Sequence, residues 1–428
     1  MSVLPFAIRR SAATKQSKRS TRSSGSLRFP CSNGGHSDGR VIPPLHGEGR
    51  TAKRFGVGWL FSPTATRRVA TSLQGGGIAR VLHALALLFC VGHAAAQDIQ
   101  SPLGLPPVPA MVAGAPAIRK LGEKLFFDRS LSANGTLSCA MCHIPGQGFA
   151  SNQSALSIGM EGRSLRRNAP SLYNVAFKKF LFHDGRETDL AAQVWGPLLA
   201  ADEMGNSGIG PLIARLRADA DYGPLFEAAF PEEGATMMTL GRAIAAYEAS
   251  LLRGGGRFDR AVYGGDRAAL TDKEWRGYAL FIGKAGCAAC HAIGAETALF
   301  TDQSWHNTGV AFRSWAAGGK RLVQLAPGVF QNVDIAAIGL AQTGAPNDVG
   351  RFEITNAPAD RWAYTTPMLR GVSESAPYMH DGSLRTLAEV IEFYDRGGGA
   401  NPSLDPKIRP LELTPDEKAA IVAFLEAL

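Results

Sequence analysis

Two seven-residue stretches, LSCAMCH at 137–143 and AGCAACH at 285–291, carry one pattern, Cys-x-x-Cys-His. Nothing else in the 428-residue chain limits its fold as tightly. In this pattern two thiols bond to the vinyl groups of a haem, and the adjacent imidazole turns onto the iron from the same face. A redox dithiol or half of a zinc site has no need of a histidine directly after the second cysteine, still less of two such arrangements. The spacing therefore assigns Cys139, Cys142 and His143 to one covalent c-type haem, and Cys287, Cys290 and His291 to a second.

The remaining cysteines support this reading. Residues up to about 80 are rich in Ser, Arg, Gly and Pro and hold no apolar period. Arg80 then precedes VLHALALLFCVGHAAAQ, a short apolar run ending in an A-x-A site at Ala94 to Ala96, the pattern of a secretory signal cleaved before Gln97. Residues 1–96 are thus expected to be a leader and signal segment, and the mature protein to be exported to the periplasm. A signal ordinarily begins a chain, so the stretch before it is either an unusual leader or lies upstream of the true start. The apolar run is well short of the ~20 residues that span a bilayer, and no later segment comes closer, so no membrane span is expected. Cys31 and Cys90 fall within the leader, and all four other cysteines fall within the two motifs. An exported chain with none left for a structural disulfide uses its thiols for something else.

The leader also reverses the charge argument. The whole chain carries a net +8, but residues 1–96 hold 14 of its 45 basic and 2 of its 37 acidic residues. The rest has 31 basic against 35 acidic residues, a net −4, which removes the case for nucleic-acid binding.

Helical periodicity dominates the mature region. IRKLGEKLFFDRSL precedes the first motif with Ile118, Leu121 and Leu125 on one face; LTDKEWRGYALFIGKAG precedes the second, with Thr271 and Glu274 as a capping box. LTPDEKAAIVAFLEAL repeats the start signal at Thr414, Pro415 and Glu417, then places Ile421, Phe424, Leu425 and Leu428 on one face. Residues 211–252 read as two further helices, and RGGGRFD is the best boundary signal. The expected fold is mainly α: two c-type cytochrome domains packed together, 97–255 and 256–428, each carrying one covalent haem.

Beyond the motifs, the ordered blocks KLGEKLFFDRSLS, RRNAPSLYNVAF, FHDGR, DLAAQVWGPLLAADEM and APYMHDGSLRTLAEVIEFYDRGG resemble the bacterial di-haem cytochrome c peroxidases, and more closely their MauG-like branch. The resemblance implies that the first haem meets hydrogen peroxide while the second passes electrons. It places Gln193 and Glu203 over the open face of the first haem, with Pro197 closing the pocket between them. A carboxylate there suits O–O cleavage, which needs a proton taken from one oxygen and delivered to the other. It also makes Tyr394 the second axial ligand of the second haem, where classical members carry Met; a phenolate is an anionic ligand that stabilises higher oxidation states of iron.

Two departures stand out. The slot of a removable His ligand in classical members is Met160, so the first haem is expected to be five-coordinate and to need no reductive activation. The slot of an inter-haem Trp is His183, a residue that carries a proton or a hydrogen bond in place of a hole. His306 and His380 read as propionate caps or as satisfied polar groups. The resemblance further implies a Ca²⁺ bound by the Asn168 side chain and the carbonyls of Thr365 and Pro367, oxygen donors that suit this ion. The electron source would be a small cytochrome or cupredoxin in a scavenging peroxidase, or a side chain of a partner protein in a MauG-like enzyme. A plain electron-transfer cytochrome is the remaining alternative.

Overall fold

Apolar residues spaced three and four apart account for most of the regular structure, and side-chain caps at Asp189, Thr236, Thr271, Thr386 and Thr414 open five of the runs. The computed structural model describes residues 99–109, 116–151, 153–316, 320–326, 329–334 and 348–428; the expected leader and signal, 1–96, lies outside them. Helix α1, Pro116–Phe127, buries Leu121, Leu125 and Phe126 and leads into the first Cys-x-x-Cys-His turn. It is followed by α2, Leu190–Gln193, and α3, Trp195–Leu199. Residues 209–249 hold α4, Ile209–Ala218, α5, Tyr222–Ala229, and α6, Met237–Ala249. That is one helix more than periodicity suggested for this stretch, because the Asp219 carboxylate accepts the Asp221 N–H and turns the chain between α4 and α5.

The C-terminal half repeats the plan. After α7, Arg257–Val262, helix α8, Asp272–Ile282, opens on the expected box, with Thr271 accepting from the Glu274 N–H and Glu274 from the Thr271 N–H. Then come α9, Val310–Ala316, α10, Phe352–Thr355, α11, Leu387–Asp395, and α12, Pro415–Leu425, whose Thr414–Glu417 box is also formed. The strands are few: β1, Trp305–His306, pairs antiparallel with β4, Tyr364–Thr365, and β2, Lys320–Ala326, with β3, Val329–Asp334. The fold is mainly helical, and no described helix is long and apolar enough to cross a membrane.

Two hydrophobic cores follow from these helices. The first joins Leu121 and Leu125 of α1 to Leu212, Tyr222, Phe226, Leu240 and Ile244, with Cys139 packed against it. The second joins Phe258, Phe281, Phe300, Ile391, Ile421 and Phe424, with Cys287 packed against it. In each, the helix before the motif crosses a later helix at a glycine. A Cβ on Gly122 of α1 would lie 1.9 Å from the Ala243 oxygen of α6, and one on Gly277 of α8 would lie 2.0 Å from the Ala420 oxygen of α12.

Charged groups tie the halves together. Arg167 reaches Asp348 at 2.6 and 2.8 Å and Asp184 at 2.6 Å, both carboxylates being almost fully buried. Arg370 and Asp259 form a buried two-point pair at 2.6 and 2.7 Å, and the guanidinium also donates to the carbonyls of Ala298 and Gly104. That pair anchors the Gly-rich boundary segment, whose Gly255 N–H donates to Leu103 O at 2.8 Å.

Candidate active site

Each Cys-x-x-Cys-His segment folds as a single 3₁₀ turn, Cys139–Met141 and Cys287–Ala289, and in both the histidine N–H donates to the first cysteine's carbonyl at 2.9 Å. His143 Nδ1 donates to Phe149 O at 2.9 Å, and His291 Nδ1 donates to Phe300 O at 2.9 Å. This fixes the tautomer and leaves each Nε2 lone pair for a metal. Burial holds both imidazoles below their ordinary pKa, so they are neutral and fit to ligate. Phe149 and Phe300 stand at φ +52° and +54°, a conformation that costs a bulky residue energy and here aims its carbonyl at the ring. All four cysteines are free thiols, and burial pushes Cys142 up to about 11 and Cys287 up to about 12, unlike reactive redox thiols. The donor set therefore fits two covalent haems with histidine ligands.

An internal repeat relates what faces the two sites. Residues 168–197 and 365–394 correspond one to one without an insertion, each containing His-Asp-Gly. The bridge between Leu181 and Glu187 recurs between Tyr378 and Leu384. Positive φ at Asn174, Phe182 and Gly185 recurs at Gly371, Met379 and Gly382. Asp189 caps α2 as Thr386 caps α11. Even the contacts between copies are reciprocal, as in a two-fold pair: Asn168 N–H donates to His380 O at 2.7 Å, and Thr365 N–H to His183 O at 2.8 Å. Sequence reasoning missed this repeat, although the two His-Asp-Gly triplets signal it.

In the repeat, Pro197 occupies the position of Tyr394. Tyr394 lies beside Cys287 and Cys290, and burial pushes its phenol up; a nearby cation is what converts such a buried phenol into a phenolate. Pro197 offers no ligand atom. It also explains why α11 is continuous while its counterpart breaks into α2 and α3: a proline ring clashes with the carbonyl four residues earlier, here that of Gln193, the last residue of α2.

The segment after α3 folds back on it. Met204 N–H donates to Pro197 O at 3.1 Å, Gly205 N–H to Ala200 O at 2.9 Å, and the buried Asn206 amide to Leu131 O and Leu198 O. This staples Glu203 in a place where it acts electrostatically on both Cys139 and Cys142. Burial, reinforced by Asp202 and opposed by Arg186, pushes the Glu203 carboxyl up to about 7. Gln193 and Pro197 are half-buried on the same segment. Met160 is buried; its N–H donates to Asp202 O and Glu203 O, and its methyl lies against Gly205, so it braces the Glu203 loop.

His183 Nε2 donates to Asn168 O of its own copy at 3.0 Å, its carbonyl accepts from the Thr365 N–H of the other, and burial pushes its imidazole down to about 3. At neutral pH it is therefore an uncharged imidazole that donates one hydrogen bond. Asn168 and Thr365, two of the expected calcium donors, meet at His183; the third, Pro367, has its carbonyl directed to the His291 ring. His380 stacks on Tyr364 at 3.8 Å. His306 is gripped by Asp405 at 2.6 Å and Asp302 at 2.8 Å, and with Cys290 beside it these push the imidazole up to about 10.

Comparison with known proteins finds a family match and relatives over most of the chain. The family model for di-haem cytochrome c peroxidases matches residues 116–267. The chain is 37% identical over 359 residues to the cytochrome-c peroxidase IdrP1 of Denitromonas iodatirespirans, covering 82% of this chain and 92% of that protein. It is 36% identical over 338 residues to the methylamine utilization protein MauG of Methylorubrum extorquens, covering 78% and 82%. Among solved structures, a MauG-like protein associated with microbial copper homeostasis matches at a TM-score of 0.62 with 32% identity, over 79% of this chain and 95% of that one.

Proposed function

Because this chain belongs to the family of bacterial di-haem cytochrome c peroxidases and MauG proteins, we propose that it reduces hydrogen peroxide to two molecules of water in the periplasm. Two electrons and two protons are consumed per peroxide. The observation that carries the reading is the asymmetry within the repeat. One copy presents Tyr394 to its cysteine pair, whereas the other presents Pro197 with Glu203 facing Cys139 and Cys142.

When bound, haem supplies an open iron position at the first site and one electron from each site. His143 and His291 hold the irons through Nε2, their Nδ1–H groups kept by Phe149 and Phe300. Glu203, poised near neutrality, accepts the peroxide proton at a carboxylate oxygen and returns it to the departing oxygen, which leaves as water. Gln193 orients the peroxide by hydrogen bonding, and Pro197 excludes both a competing ligand and water. Tyr394, buried beside Cys287 and Cys290, would offer its phenolate oxygen to the second haem. His183 joins the two copies through its carbonyl, which accepts from the Thr365 N–H, and braces Asn168 of its own copy through Nε2; Asn168 and Thr365 with Pro367 would supply oxygens to a Ca²⁺.

The test is optical and EPR spectroscopy of the ferric protein before and after stoichiometric peroxide. A high-spin signal from one haem that is consumed by one equivalent of peroxide is expected. Two low-spin haems that ignore peroxide would leave only an electron-transfer cytochrome. Tyr394 favours a second reading, oxidation of a partner protein's side chain as in the MauG-like branch. Under that reading the oxidised state persists when no small cytochrome donor is present and decays when the partner is added.

A further inference from the structure

One buried acid near the first cysteine pair has no part in the chemistry above. Glu248 lies on α6, one turn beyond Ile244, a member of the core against which Cys139 packs. Its side chain is 6% exposed, and its Oε2 has no hydrogen-bond partner among the described residues. It acts on Cys139 more strongly than Cys142 does. A carboxyl enclosed in this way, with one oxygen unsatisfied, is costly to keep.

We propose that Glu248 is a positioning residue that sets the reduction potential of the haem attached through Cys139 and Cys142. Removing one electron from that haem, to a redox partner or a mediator, adds a positive charge within a poorly screened interior. The carboxyl answers by releasing its proton to solvent, and regains it when the electron returns. The coupling is reciprocal, so proton release stabilises the ferric state by the amount that oxidation favours release.

The surroundings leave Glu248 free to respond. Burial alone raises its carboxyl, to about 8, with no described cation offsetting it. Glu248 acts on Tyr247 of its own helix, which Glu123 of α1 also influences. Glu203, on the loop after α3, acts on the same Cys139, and Cys139 and Cys142 become neutral thioethers once haem is attached.

The experiment is a spectroelectrochemical titration of the di-haem protein, without peroxide, over a pH range spanning about 6 to 10. In the wild type the potential of the first haem should fall as pH rises through a window near 8, with a limiting tenfold change in equilibrium constant, ~59 mV, per pH unit. In Glu248→Gln the part of the slope near pH 8 should vanish, leaving only what Glu203 contributes near 7, and the alkaline potential should be higher, with the second haem unchanged. Equal slopes and potentials in the two proteins would overturn the proposal. If Glu248→Gln loses haem, infrared difference spectra of Glu203→Gln decide instead, since Glu248 is then the buried acid left beside the cysteine pair. A protonated-carboxyl band lost on oxidation supports the assignment, and its absence defeats it. The proposal rests on the first haem attachment but not on peroxide chemistry; a haem count of two per chain in the wild type tests the former separately.

Discussion

Glu203 is the residue whose environment most directly limits what the first site does. A surface carboxylate would be a weak base at neutral pH, whereas burial beside Asp202 brings this one up to about 7. It must be ionised to accept the peroxide proton, so the rate of reaction with peroxide should rise with pH through about 7 and level off above it. Glu203→Gln should lower that rate by about 10²-fold or more and flatten the profile, measured by stopped-flow mixing. A profile unchanged in the variant would remove Glu203 from the reaction. The carbonyls of Phe149 and Phe300 were not legible in the sequence, because every residue type carries a carbonyl and only the positive φ aims these two.

At the scale of elements, caps and periodicity specified α1, α8 and α12, since both signals are local. What they did not specify is how closely the helices approach. Gly122 and Gly277 let each pre-motif helix touch the backbone of a later one. Gly277→Ala forces a Cβ against the Ala420 carbonyl, and α8 and α12 must separate. The holoprotein should lose about 1–3 kcal/mol in chemical denaturation, as overpacked cores do; an unchanged midpoint would mean the crossing yields freely. The break between α2 and α3 belongs to this scale too. One residue, Pro197, both interrupts the helix and removes the side chain that its counterpart Tyr394 supplies.

For the whole molecule, the buried charges around Arg167 link residues far apart in the chain. Arg167→Met would remove the cation shared by Asp184 and Asp348, exposed by 3% and 4%, and leave them only the more exposed Arg186 and Arg166. A loss of about 3–5 kcal/mol in denaturant unfolding is expected. Arg167 holds the Asp348 carboxyl well below the ordinary range. A carboxyl depressed in the fold contributes stability above its unfolded pKa and loses it as pH falls through the folded value. The deficit of the variant should therefore be largest near neutral pH and shrink below about pH 4, where the stranded carboxyls take up protons. A deficit independent of pH would assign the effect to packing.

The sequence by itself determined the covalent chemistry, the helices and the family, because a five-residue haem motif, a capping box and ordered family blocks are all read over short stretches of chain. Only the tertiary structure decided which carbonyls steady the imidazoles, that His183 is held neutral while Glu203 sits near neutrality, and that Glu248 is enclosed without a partner. Those properties depend on burial and on neighbours supplied by distant segments. The one-to-one repeat shows the difference most plainly: its letters were visible throughout, but the matched bridges, positive-φ positions and reciprocal hydrogen bonds that relate the copies exist only in the fold.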